Sequence, residues 1–138
     1  MPLSRTAWYE WYPAASYDFS GIVISAGDVI QLTVNASSTT SGTASINNLT
    51  NGQAVSKKLT SSSPLCGQDA EWIVEDYMEG SSLVPFADFG TVTFTSAKAS
   101  GNGAYTPSGA TITEIQQNNN QVLTSTSLTG SSVTIKYL

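Results

Sequence analysis

The chain has ten carboxylates in 138 residues, and four of them, Asp69, Glu71, Glu75 and Asp76, crowd around the apolar run Trp72-Ile73-Val74. Extended backbone points successive side chains to opposite faces, so Glu71, Ile73 and Glu75 would share one side and Trp72, Val74 and Asp76 the other. Two carboxylates around an isoleucine make a poor core surface, because burying an unpaired charge is costly. That face should meet water or line a cleft where carboxylates have partners or a task. The task open to a carboxylate is general acid–base chemistry: it takes a proton from an attacking water and returns it to the leaving group. A second constellation lies near the N-terminus, where alternation puts Trp8, Glu10 and Tyr12 on one face and Tyr9 and Trp11 on the other, before Pro13. Two aromatic rings flanking a carboxylate could grip an extended peptide; equally, the rings could be core and Glu10 solvated at a sheet edge. Glu75 has the same two readings, catalytic group or satisfied edge residue, and the residues alone leave both open.

Other chemistries are excluded more firmly. The chain has no His, which removes a Ser-His-Asp triad, and no Cys or His cluster for a metal, so no cofactor is expected. With five Lys plus Arg against ten Asp plus Glu, the net charge of −5 argues against nucleic acid or an anionic membrane as partner. No apolar run is long enough for a membrane helix, and Met1-Pro2-Leu3-Ser4-Arg5-Thr6 lacks the apolar core of a signal peptide, so the start by itself reads as cytosolic. Against that, Asn35-Ala36-Ser37 and Asn48-Leu49-Thr50 have the N-glycosylation acceptor pattern of secreted chains.

The elements that must position these groups read as strands. Short Val-, Ile-, Thr- and aromatic-rich runs separated by Gly, Ser, Asn and Asp predict strands at 8–12, 21–24, 29–36, 42–48, 54–59, 71–75, 83–89, 91–95, 111–116, 122–127 and 132–137. Leu32 and Val34 alternate with Thr33, and Val92 and Phe94 with Thr91, Thr93 and Thr95, the pattern of a half-buried antiparallel sheet. Asn51-Gly52 signals a hairpin turn, and 116–121 is a polar turn between strands. No segment has a helical period, and no linker divides the chain. The expectation is one all-β domain, an antiparallel two-sheet β-sandwich.

The motifs Ala7-Trp8-Tyr9-Glu10-Trp11-Tyr12-Pro13, Ala70-Glu71-Trp72-Ile73-Val74-Glu75-Asp76 and Phe86-Ala87-Asp88-Phe89, with Cys66, resemble the glutamic peptidases, the eqolisins of acid-secreting fungi. The likeness continues through Tyr17-Asp18-Phe19, Ile24-Ser25-Ala26-Gly27-Asp28, Asn48-Leu49-Thr50 and Val133-Thr134-Ile135, and leaves 1–6 unmatched. It implies a concanavalin-like jelly roll with a concave cleft, a secreted acid endopeptidase and a peptide or protein substrate. Glu75 matches the family's catalytic Glu, with Glu71 beside it, and Trp8, Glu10 and Tyr12 match positions lining the substrate cleft. The family's second catalytic group is a Gln upstream of the Trp-Tyr-Glu-Trp-Tyr-Pro segment, where this chain has only Met1 to Thr6. Gln31, Gln53, Gln68, Gln116, Gln117 and Gln121 all stand outside a matching motif. The resemblance therefore implies a domain lacking its N-terminal strands and half of its catalytic dyad, with a separate N-terminal segment as a partner. Cys66, the lone cysteine, is either a free thiol or the remnant of a bridge to that upstream portion. Two other functions stay open: a non-catalytic peptide-binding relative, and a carbohydrate-binding sandwich that stacks sugars on Trp8, Tyr9, Trp11 and Tyr12.

Overall fold

A computed structural model describes residues 5–138; Met1 to Ser4, part of the unmatched start, lie outside the described residues. Every regular element in it is a β-strand, and every pairing is antiparallel. None of the described residues forms a helix long and apolar enough to cross a membrane. Packing separates the chain into two compact units, Met1–Asp69 and Ala70–Leu138.

The first unit holds β1 (Trp8–Tyr9), β2 (Tyr17–Asp18), β3 (Ile30–Ser38), β4 (Ser41–Asn48) and β5 (Ala54–Thr60). β1 pairs with β2, and β3-β4-β5 form a three-stranded sheet. Registers Leu32↔Ile46↔Val55 and Ala36↔Gly42↔Leu59 gather apolar residues on one face of that sheet. The other face carries Thr33↔Ser45↔Ser56 and Asn35↔Thr43↔Lys58. Ile46, on the central strand, is 4% exposed, whereas Val34 on the edge strand is 85% exposed. The β4–β5 turn runs through Asn51-Gly52 as expected, with Gly52 at φ 77°, a left-handed conformation that costs a residue with a Cβ.

Asn48 ties this turn to the preceding loop. Its Nδ2 donates to Val23 O (2.9 Å) and Asp28 Oδ2 (2.6 Å), and its Oδ1 accepts from Thr50 N (3.0 Å) and Asn51 N (3.2 Å). These bonds account for the missing strand at 21–24. Val23 N donates to Gln53 Oε1, and Val23 O accepts from the Asn48 and Asn51 side chains, so side chains occupy the groups a ladder would use. The first predicted strand is also shorter than expected: pairing stops at Tyr9, and a turn begins at Tyr12-Pro13.

The second unit holds β6 (Met78–Glu79), β7 (Ser82–Leu83), β8 (Thr91–Phe94), β9 (Ala99–Ser100), β10 (Ala104–Tyr105), β11 (Gln116–Gln117), β12 (Gln121–Val122), β13 (Thr124–Thr129) and β14 (Ser132–Tyr137). Its centre is the sheet β13-β14-β8. Registers Leu128↔Val133↔Phe94 and Thr126↔Ile135↔Val92 build one apolar face, on which Val133 and Ile135 are 4% and 6% exposed. Phe86 and Phe89 pack on Tyr137 with centroids 5.9 and 6.1 Å away. The 116–121 turn is a hairpin between β11 and β12, its tip formed by Asn118, Asn119 and Asn120 at positive φ, a conformation Asn tolerates better than most residues.

Three predicted strands of this unit form no ladder over most of their length. Residues 71–75 belong to no strand, of 83–89 only Leu83 does, and of 111–116 only Gln116 does. Exposure still alternates along the first of them: Glu71, Ile73 and Glu75 are exposed, while Trp72, Val74 and Asp76 are half-buried. The period-two pattern reports a face correctly, but a ladder also needs a neighbouring backbone, and among the described residues none bonds the backbone of 70–76. The short hairpin β9–β10 was not anticipated, because its Gly- and Asn-rich sequence shows no alternation.

Candidate functional site

In the first unit, β1 pairs Trp8 with Asp18 and Tyr9 with Tyr17, and Phe19 N donates to Ala7 O (2.8 Å). Tyr9 turns inward, 6.0 Å from the Tyr17 ring and 4.8 Å from the Phe19 ring. Trp11 is anchored by its Nε1, which donates to Ser63 O at 2.8 Å. With Tyr9 and Trp11 turned in, Trp8, Glu10 and Tyr12 are left outside: Trp8 is 50% and Tyr12 82% exposed, and Glu10 is exposed between them. The first unit thus brings together its three predicted contact residues as an aromatic surface with one carboxylate, held from below by two half-buried anchors. Rings presented in this way offer apolar area at little conformational cost.

In the second unit Glu71 and Glu75 lie on the exposed side of the 70–76 segment, with Ile73, 60% exposed, between them. Asp76 lies on the other side. Its Oδ2 accepts from Gln117 Nε2 (2.8 Å), which also donates to Val84 O (3.2 Å), and its buried Oδ1 has no partner among the described residues. The two adjacent carboxylates thus have different circumstances, Glu75 open to solvent and Asp76 braced from β11. Sequence reasoning missed the Asp76–Gln117 pair, whose members are 41 residues apart. It also missed Glu114, which accepts from Thr126 N (2.6 Å), Thr124 Oγ1 (2.7 Å) and Thr126 Oγ1 (3.0 Å). No motif or spacing marks either group.

A cavity of about 270 Å³ lies between residues 70–74, residues 110–113 and the apolar face of β13 and β14, with Thr126, Leu128, Val133 and Ile135 as its floor. Its walls are two of the segments that lack a ladder. Among the described residues, no group of three His, Cys, Asp or Glu side chains could hold a metal. Cys66 is an exposed free thiol.

A family model described as the Peptidase A4 family matches residues 3–137. The chain belongs to this family. Among curated Peptidase A4 relatives it is 53% identical over 138 residues to aspergillopepsin-2 of Aspergillus niger and 46% identical over 142 residues to scytalidopepsin B of Scytalidium lignicola. These matches take in 98% and 96% of this chain but 49% and 54% of the relatives, so the chain spans about half the length of the curated relatives. Its fold agrees with the crystal structure of aspergilloglutamic peptidase from Aspergillus niger at a TM-score of 0.89 and 53% identity, over 96% of this chain and 79% of that one. It agrees equally, at 0.89 and 44% identity, with scytalido-glutamic peptidase bound to a transition state analog inhibitor, over 96% of this chain and 69% of that one. A further eqolisin, 39% identical with a TM-score of 0.79, was solved with the tripeptide Ala-Ile-His and is matched over 89% of this chain and 67% of its own. The all-β antiparallel fold and the family expected from the sequence are therefore those of the protein.

Proposed function

We propose that this chain is the Glu-bearing portion of a secreted, acid-acting glutamic endopeptidase. The observation that carries the reading is Glu75, exposed within the family motif Glu71-Trp72-Ile73-Val74-Glu75 and unencumbered by the bonds that hold Asp76. Glu75 is the general base. Its carboxylate removes a proton from the water that attacks the peptide carbonyl, then delivers it to the departing nitrogen. Trp8, Glu10 and Tyr12 contact the substrate, and Glu71 sits beside the reacting centre. Relatives solved with a transition state analog and with a tripeptide support a peptide as substrate.

The dyad's glutamine, whose amide would donate to the developing oxyanion, comes from polypeptide outside residues 1–138. Residues 1–138 are then the part of a glutamic-peptidase sandwich that carries Glu75. The unpaired backbone of 70–76 and the cavity behind it support this reading, since an added strand would find both hydrogen-bonding groups and apolar floor there.

Peptide cleavage at about pH 3–4, below the reference Glu value of about 4.3, tests the reading on wild type and Glu75→Gln. Each is assayed with and without the part of the Aspergillus niger peptidase outside the match. Cleavage by wild type once that part is added, absent for Glu75→Gln, is the expected result. Cleavage that survives Glu75→Gln would remove Glu75 from the mechanism. No cleavage under any condition by a folded chain would leave a peptide-binding relative.

A further inference from the structure

The peptidase reading gives no task to the asparagine of either acceptor pattern, Asn35-Ala36-Ser37 or Asn48-Leu49-Thr50, and the structure separates them. Asn48 is 1% exposed. An Asn side chain has two N–H donors and one carbonyl oxygen. At Asn48 both donors are used, on Val23 O and Asp28 Oδ2, and the oxygen accepts twice, from Thr50 N and Asn51 N. Thr50, the hydroxyl residue of this pattern, is also engaged, its Oγ1 accepting from Val29 N at 2.9 Å. A sugar on Asn48 Nδ2 would replace one of the two donated hydrogens and put a bulky polar group where there is no space. A chain carrying it could not close this turn.

Asn35 is the opposite case. It is exposed, on the polar face of β3, and none of the described hydrogen bonds uses its side chain. β3 is an edge strand of its sheet. Its register with β4 shifts between Ala36 and Ser38, so Ser37, the hydroxyl residue of the pattern, sits in a bulge near the strand end, its Oγ donating to Ser41 O at 3.2 Å. A substituent here displaces no internal contact and stands beside an open strand edge. Such edges invite pairing with other chains unless something blocks them. Leu32 and Val34, exposed on the opposite face of the same strand, add to that hazard.

We infer that Asn35 is the N-glycosylation site of this protein and that Asn48 is a structural residue that carries no glycan in the folded chain. The assignment rests on the proposed secretory route. In the reaction Asn35 Nδ2 bonds to C1 of an oligosaccharide, the bond from C1 to a lipid-linked diphosphate breaks, the diphosphate leaves with the electron pair, and the amide gives up one proton. The glycan then shields the β3 edge.

The test is expression in yeast behind a cleavable secretion leader, followed by mass-spectrometric mapping of both peptides, with and without endoglycosidase. The soluble secreted protein is mapped or, if none is released, the protein recovered from the secretory compartment. A single glycan on Asn35 is expected. Ser37→Ala, which leaves Asn35 in place, should abolish the endoglycosidase-sensitive mobility shift and increase aggregation of the secreted chain. An unmodified Asn35 overturns the assignment, and so does a glycan on Asn48 in soluble protein. Because the leader directs secretion and no activity is read, failure of the peptidase proposal would not alter this result.

Discussion

Asn48 is the residue on which the first unit's long loop depends, since one side chain meets Val23, Asp28, Thr50 and Asn51. Truncating it removes four part-buried bonds at once, leaves their partner groups unpaired and opens a void at a side chain that is 1% exposed. Asn48→Ala should therefore destabilise the chain by about 2–3 kcal/mol, measured by chemical denaturation. Asn35→Ala, which removes no described bond, should stay within about 0.5 kcal/mol of wild type. The same contrast separates Asp76 from Glu75. The first is braced by Gln117, and the second is exposed on the opposite side of the same segment, as the proposed role of general base requires. Alternation along 71–76 was enough to put these two carboxylates on different faces. That Gln117 reaches Asp76 across 41 residues was not visible, because it depends on where the β11–β12 hairpin lies in the fold.

At the scale of elements, most strands legible in the sequence have ladder partners that follow closely along the chain. β8, whose partner β14 is distant, was legible from its own Val92/Phe94 alternation. β3, β4 and β5 form consecutive antiparallel pairs, β13 and β14 a hairpin, and in each the apolar alternation coincides with a real face. Where the partner backbone was replaced by side chains, at Val23, or was absent, at 71–75, the same alternation did not make a strand. Burial within these elements is uneven, and this gives a direct test. Ile135, on the central strand β14 and 6% exposed, should cost about 2–5 kcal/mol on truncation to Ala. Val34, 85% exposed on the edge strand β3, should tolerate Thr within about 0.5 kcal/mol and leave the chain less prone to aggregate. Denaturation midpoints and light scattering on the two variants check both statements.

At the scale of the whole molecule, charge governs behaviour in the acidic range where the peptidase proposal has it work. The chain carries −5 at pH 7, and its sequence isoelectric point is about 4.3. With exposed apolar residues such as Leu32 and Val34, colloidal stability depends on that charge. Turbidity of the purified chain should peak near pH 4.3 and fall on either side, which a pH series at fixed protein concentration would show. The sequence by itself determined the β class, the family and the faces of the strands. These follow from local period, residue type and motif order, properties that do not depend on what packs against what. Only the tertiary structure decided which of two equivalent acceptor asparagines is buried, which acidic residue beside Trp72-Ile73-Val74 is braced, and which extended segments lack a partner. Each of those outcomes is set by contacts between residues far apart in the chain, and a linear pattern carries no record of them.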